Sequence, residues 1–193
     1  MDYNSLLYVY GILTMDAIII NNFFDDFDNI KDEFKKIPLY ATNDWNKKFN
    51  VSGASYDETW PGKRSESFGD SNPFLNNLIY KELRSKTSLL FDGIHLDMYS
   101  YVHLRLDTDN DADFIHCDPC DYTLIVFLSE TNLKSGTALY PPRSNTPDVM
   151  ANFVQNRAFL FKGYIRHKAI HNHGDSIENG RLTLNCFIKQ KKR

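Results

Sequence analysis

Cysteine is the first thing this chain has little of. Its 193 residues hold three, Cys117, Cys120 and Cys186, an odd number and too few for a disulfide scaffold. That excludes the small cross-linked secreted folds and suits a reducing, cytoplasmic setting. Long apolar runs are missing too. The one candidate, residues 6–20, is interrupted by Gly11, Thr14 and Asp16 and has no basic start, so neither a membrane span nor a signal peptide is expected. An excess of positive charge is also absent. The formal net charge is −3 and no stripe of basic and aromatic residues is present, so nucleic acid is not an expected partner. The basic ending Lys189-Gln-Lys-Lys-Arg193 reads as a solvated tail. Repeats and linker-like stretches are lacking as well. One domain over residues 1–193 is the simplest organisation, with its core at about residues 94–189 and residues 1–14 as an N-terminal extension of no clear role.

What the chain does have is aromatic residues and alternation. Aromatics make up 14%, with 14 Phe and 11 Tyr, which suits a β core better than a helical bundle. Residues 17–20 read as a short buried strand. Residues 25–36 carry Phe27, Ile30 and Phe34 at helical spacing, with acids early and lysines late, as a helix dipole favours. Residues 40–60 predict loops and at most one strand. Trp60-Pro-Gly-Lys-Arg64 is a turn, on the surface or, alternatively, at the lip of a site. Asn72-Pro73 starts a helix whose apolar stripe runs through to Arg84.

From Ile94 the texture changes to period 2, giving a strand over 95–106. An acidic turn over 107–113 follows; it lacks the glycine and the terminal Glu of a calcium loop. Residues 122–128 read as a central strand, 129–135 as a loop and 136–140 as a further strand. Many short strands behind N-terminal helices predict a mainly β fold, a double-stranded β-helix or jelly roll.

The chemistry gathers at His116-x-Asp118. Two residues apart on an extended segment, the imidazole and the carboxylate point to one side and can reach one ion together. Downstream, an apolar strand, Gly163 and then His167 offer a third ligand. Two His and one carboxylate with open positions form the facial triad of non-haem Fe(II) oxygenases. Arg181-Leu-Thr183 then opens a last strand over 182–188, where a buried Arg can hold a carboxylate through its planar fork. His95 and His103, on a strand, read as structural histidines. Cys117-x-x-Cys120 lacks the second pair that a zinc ribbon needs, and Cys117 reads as packing.

The order His116-x-Asp118, Gly136-Thr137, Phe161-x-Gly163-x-x-x-His167 and Arg181-x-Thr183 resembles the 2-oxoglutarate/Fe(II)-dependent dioxygenases, and within them the small prolyl-4-hydroxylase-like branch. The resemblance spans residues 97–189. It implies Fe(II), 2-oxoglutarate and O2 as cofactor and co-substrates, with His116, Asp118 and His167 as metal ligands. Arg181 and Thr183 would bind the distal carboxylate of 2-oxoglutarate. His167 fits the family's strand, glycine turn and histidine; His171, ten residues before Arg181, is its main rival, with His173 a third candidate. Because the Asp is present, the resemblance implies oxygen insertion rather than halogenation. The expected reaction is hydroxylation of a C–H bond in an amino acid, a peptide or protein residue, or another small molecule, with release of succinate and CO2. The alternative is an inactive or cupin-like binding protein on the same jelly roll.

Overall fold

The computed structural model describes residues 8–10, 16–48, 60–109 and 114–191. Strands β1 (Tyr8–Tyr10) and β2 (Ala17–Ile20) come first, then helices α1 (Phe27–Lys35) and α2 (Thr42–Lys48). The two-residue strand β3 (Lys63–Arg64) precedes helices α3 (Phe68–Ser71), α4 (Pro73–Lys86) and α5 (Ser88–Phe91). The remainder is β: β4 (His95–Arg105), β5 (Tyr122–Phe127), β6 (Asn132–Tyr140), β7 (Val149–Phe153), β8 (Ala158–Lys162), β9 (Arg166–Ile170) and β10 (Arg181–Lys191). No helix among the described residues is long and apolar enough to cross a membrane.

The strands form two antiparallel sheets, a large one in the order β1-β2-β8-β5-β10-β4-β3 and a small one in the order β7-β6-β9. Side-chain alternation gives each large-sheet strand two jobs. On β10, Leu182, Leu184, Cys186 and Ile188 join Leu124, Val126 and Leu160 in a core against the helices. That core is closed by Phe24 and Phe34 near and on α1, and by Leu75, Ile79 and Leu83, which recur on one face of α4. The opposite face of the large sheet contributes Ile125, Phe127, Phe159 and Phe161 to a second core with Leu139, Ala151 and Phe153 of the small sheet. Strand β5 is buried at every position because both of its faces are covered. This is the double-stranded β-helix that the alternation predicts.

Local chemistry fixes the ends. The Asn72 side chain accepts the Leu75 N–H and Pro73 occupies the first helical turn, so α4 starts where the sequence predicts. Asn156, in a left-handed conformation (φ 58°), clasps the backbone of Phe24 with its side-chain amide. It accepts from the Phe24 N–H and donates to its carbonyl, each at 2.9 Å. Several expectations are corrected. Helix α2 lies where only loops and a strand were expected, β6 begins inside the expected 129–135 loop, and β10 runs three residues beyond the expected 188. Residues 110–113 of the acidic turn lie outside the described residues, as do 1–7 and 11–15; Tyr8–Tyr10 pairs with β2.

Candidate active site

The His116–Asp118 segment is not a strand. It is an extended stretch held at a single bridge, in which the His116 and His167 backbones exchange both hydrogen bonds at 3.0 and 2.8 Å. That pairing sets the two imidazoles 4.3 Å apart, centre to centre. Asp118 is held from the other side. Its N–H donates to the Gly163 carbonyl (2.8 Å), and a Cβ at Gly163 would run into the Cys120 carbonyl. Glycine is therefore needed here for close approach of two backbones, not for an unusual φ.

His116, Asp118 and His167 bring one ligand atom each to within 4.8 Å of one another. Both Nδ1 atoms are committed. His116 Nδ1–H donates to the Phe114 carbonyl (2.9 Å) and His167 Nδ1–H to the Ile165 carbonyl (3.0 Å). Each ring thus turns its Nε2 toward the cluster, leaving that atom as the one a metal would take. Nε2 of His116 lies 3.8 Å and Nε2 of His167 3.3 Å from the Asp118 carboxylate. Burial pushes the Asp118 carboxyl up, but hydrogen bonds and charge from His167, the Thr123 hydroxyl and His116 outweigh it, leaving the group below its ordinary value and ionised at neutral pH. Thr123 Oγ1 donates to Asp118 Oδ2 at 2.5 Å. With both Nε2 atoms facing the carboxylate, a proton on an imidazole or a metal cation in its place satisfies the cluster. Two nitrogens and one oxygen suit a borderline metal such as Fe(II). His171, by contrast, is exposed and outside this cluster. Cys117 is exposed rather than packed, its thiol donating to the Tyr164 carbonyl (3.0 Å).

Arg181 is buried on the barrel side of β10. Its Nη2 donates to the Gly136 carbonyl (3.1 Å), 3.4 Å from Thr137 Oγ1, and its guanidinium lies 5.9 Å from the centre of the Phe153 ring. Thr183 follows on the same face, fully buried, its hydroxyl donating weakly to the His103 carbonyl (3.4 Å). His173 is set edge-on to Phe153, and burial together with the Arg181 charge pushes its pKa below the usual histidine value. His103 is buried with Nε2–H donating to the Pro61 carbonyl (2.6 Å). Burial first, then the Arg64, Arg105 and Arg181 charges, hold it neutral. His95 is exposed, 3.9 Å from Asp97.

The sequence reading missed the wall beside these groups. Tyr99 and Phe187, register partners on β4 and β10, lie with rings 6.3 Å apart and nearly parallel, and Tyr101 packs edge-on against both. Tyr99 and Phe187, with Asp97, Met98, Pro119, Cys120 and Lys189, line a cavity of about 300 Å³. The period-2 pattern of β4 and β10 assigns these aromatics to one face; only pairing shows that they meet.

No protein-family model and no curated protein matches the sequence. Solved structures do match. The 2-oxoglutarate-dependent epimerase SnoN from nogalamycin biosynthesis superposes with a TM-score of 0.62 at 13% identity, covering 90% of this chain and 77% of its own. HygX from Streptomyces hygroscopicus, solved with nickel and 2-oxoglutarate bound, gives 0.62 at 11% identity over 90% and 82%. A prolyl-4-hydroxylase from Pseudomonas putida gives 0.52 at 12% identity over 92% and 94%. The fold is that of the 2-oxoglutarate/Fe(II) oxygenases. Within this oxygenase fold, neighbours that differ in reaction share the barrel, so the scaffold alone does not select an activity.

Proposed function

We propose that this chain is an Fe(II)- and 2-oxoglutarate-dependent oxygenase that hydroxylates a C–H bond of an amino acid, a peptide or protein residue, or another small molecule, releasing succinate and CO2. The observation that carries this reading is the gathering of two imidazole nitrogens and one carboxylate oxygen within 4.8 Å of one another. His116, Asp118 and His167 would hold the metal, and the donor set fits it. Arg181, with Thr183, would receive the distal carboxylate of the oxo acid. Bound iron with its oxo acid and O2 supplies the oxidising power that no side chain has.

The chain's own residues do the rest. The Phe114 and Ile165 carbonyls fix the imidazole tautomers, and Thr123 fixes the carboxylate rotamer. Arg181 aligns the oxo acid by a charge-assisted fork. Phe127, Phe153, Phe159 and Phe161 keep the barrel floor dry.

The test needs no knowledge of the substrate. Anaerobic apoprotein is titrated with Fe(II) and then 2-oxoglutarate while the visible spectrum is followed for a weak metal-to-ligand charge-transfer band. The band is expected in wild type and is lost in His116→Ala and Arg181→Ala. Its absence from folded, iron-loaded wild type would overturn the reading in favour of a binding protein without turnover.

A further inference from the structure

Trp60 and Arg64, beside and on β3, are built into the barrel more firmly than a surface turn requires. The Arg64 backbone exchanges both hydrogen bonds with Tyr40 (2.9 and 2.8 Å), and its register partner on β4 is His103, so its side chain shares the barrel-side face with Tyr101. Trp60 is tethered to α2. Its N–H donates to Thr42 Oγ1 (3.2 Å), its carbonyl accepts from the same hydroxyl (3.3 Å), and its ring stands edge-on to Trp45 (5.9 Å). Between them Gly62, at φ 75°, takes a backbone turn that other residues rarely adopt, where a Cβ would meet the Leu104 carbonyl.

The Arg64 guanidinium lies over both the Trp60 ring (4.9 Å) and the Tyr101 ring (5.1 Å). Stacking fixes the plane of the fork before any ligand arrives. Yet among the described residues Arg64 makes no side-chain hydrogen bond and no ion pair, and its Nε–H and the Trp60 Nε1–H are both sealed from solvent without an acceptor there. Two N–H donors and one unneutralised positive charge beside each other are costly to keep and match one planar, singly charged acceptor. The neighbouring His103 adds no competing charge, since burial and the Arg64, Arg105 and Arg181 charges hold it neutral against the Pro61 hydrogen bond.

From Arg64 the wall is continuous. Tyr101 touches Tyr99 and Phe187, each 5.8 Å away, and those two rings line the cavity of about 300 Å³ that Pro119 and Cys120 also border. Arg181, deeper on β10, is left for the oxo acid. We propose that Arg64 and Trp60 form an anion clamp for the molecule to be oxidised, and that this molecule is a small carboxylic acid with a planar or apolar body. Its carboxylate sits on the clamp, its body lies along Tyr101, Tyr99 and Phe187, and a C–H bond faces the metal cluster. This assignment rests on the oxygenase reading and narrows its substrate class.

The chain's two tryptophans, Trp45 and Trp60, are in contact at the clamp, so intrinsic fluorescence reports on it. Protein loaded with nickel and saturating 2-oxoglutarate is titrated with phenylacetate and with its neutral isostere phenylacetamide. Phenylacetate is expected to quench saturably and to bind about 10-fold or more tightly than the amide, as loss of a charge-assisted hydrogen bond predicts. Arg64→Gln brings the acid to the level of the amide while keeping the melting temperature and 2-oxoglutarate binding of wild type. Arg181→Gln does the reverse.

Equal binding of acid and amide, a preference that survives Arg64→Gln, or no saturable quenching by the acid would overturn the clamp. So would loss of 2-oxoglutarate binding in Arg64→Gln, which would assign Arg64 to the oxo acid instead. Failure of the oxygenase reading is recognised separately, because wild type itself would then take up no 2-oxoglutarate. In that case the acid-over-amide comparison on the unloaded protein still decides the clamp.

Discussion

Thr123 shows how much a single hydroxyl can decide. Its bond to Asp118 Oδ2 at 2.5 Å is the contact that stops the carboxylate from swinging away from the two imidazoles. Thr123→Val keeps the volume and the strand preference but removes the donor. Metal affinity is expected to fall roughly 10- to 100-fold with little change in melting temperature, measured by competition with a chelating dye. His103 gives a pH signature. Its folded-state pKa is depressed, so above about pH 6.5 it is neutral in both states and costs nothing. As pH falls below that value, the unfolded chain takes up a proton that the folded chain refuses, and stability drops by up to about 1.4 kcal/mol per pH unit. His103→Gln is expected to flatten this part of the stability–pH curve measured by urea unfolding. His173, depressed in the same direction, supplies a slope that remains. The residue types of the cluster were legible in the sequence because His-x-Asp and Gly163 to His167 are local spacings. Cys117 was misjudged, as nothing local reveals that its thiol faces outward beside the Tyr164 carbonyl.

Elements meet at two residues that carry no chemistry. Gly163→Ala would drive a Cβ into the Cys120 carbonyl and push the β8–β9 turn off the Asp118 backbone. Both stability and metal affinity are expected to fall, the former by about 2 kcal/mol or more, seen together in unfolding and metal titrations. Asn156→Ala removes two hydrogen bonds from the buried Phe24 backbone and places at φ 58° a residue that tolerates the left-handed region less well than asparagine. A loss of about 2–4 kcal/mol in urea unfolding is expected, with 2-oxoglutarate binding by the surviving folded protein unchanged. Strands and the capped helix α4 were readable because alternation and Asn72-Pro73 are written locally. Helix α2 was not: Thr42-Asn-Asp-Trp-Asn-Lys-Lys48 has no apolar period, and what anchors it is the distant Trp60 backbone. The His116–Asp118 segment read as extended because its side chains do alternate, yet it is held by one bridge to His167 and by the Gly163 carbonyl rather than by a strand ladder.

For the whole molecule, ligand and fold are thermodynamically linked. Metal and oxo acid that bind only the assembled barrel are expected to raise the melting temperature in a concentration-dependent way, with about 2.7 kcal/mol of stabilisation at 100 times the dissociation constant. Scanning fluorimetry with nickel and 2-oxoglutarate checks this, and Arg181→Gln should retain the metal increment but lose that of the oxo acid. At this scale the sequence conveyed the jelly roll and left the Trp60–Arg64 turn open between the surface and the lip of a site, since the pairing of β3 with β4 rests on two residues and leaves no pattern.

Strand β10 has a further consequence. It is zipped between β4 and β5, with Leu182 and Leu184 turned to the helices and Arg181 and Thr183 to the barrel. A slip of one residue would exchange these sets, driving a guanidinium into the helix-side core and a leucine into the proposed oxo-acid pocket. Correct alignment is therefore proofread by the hydrophobic core itself, and a chain that fails this check has no complete reaction centre to misuse.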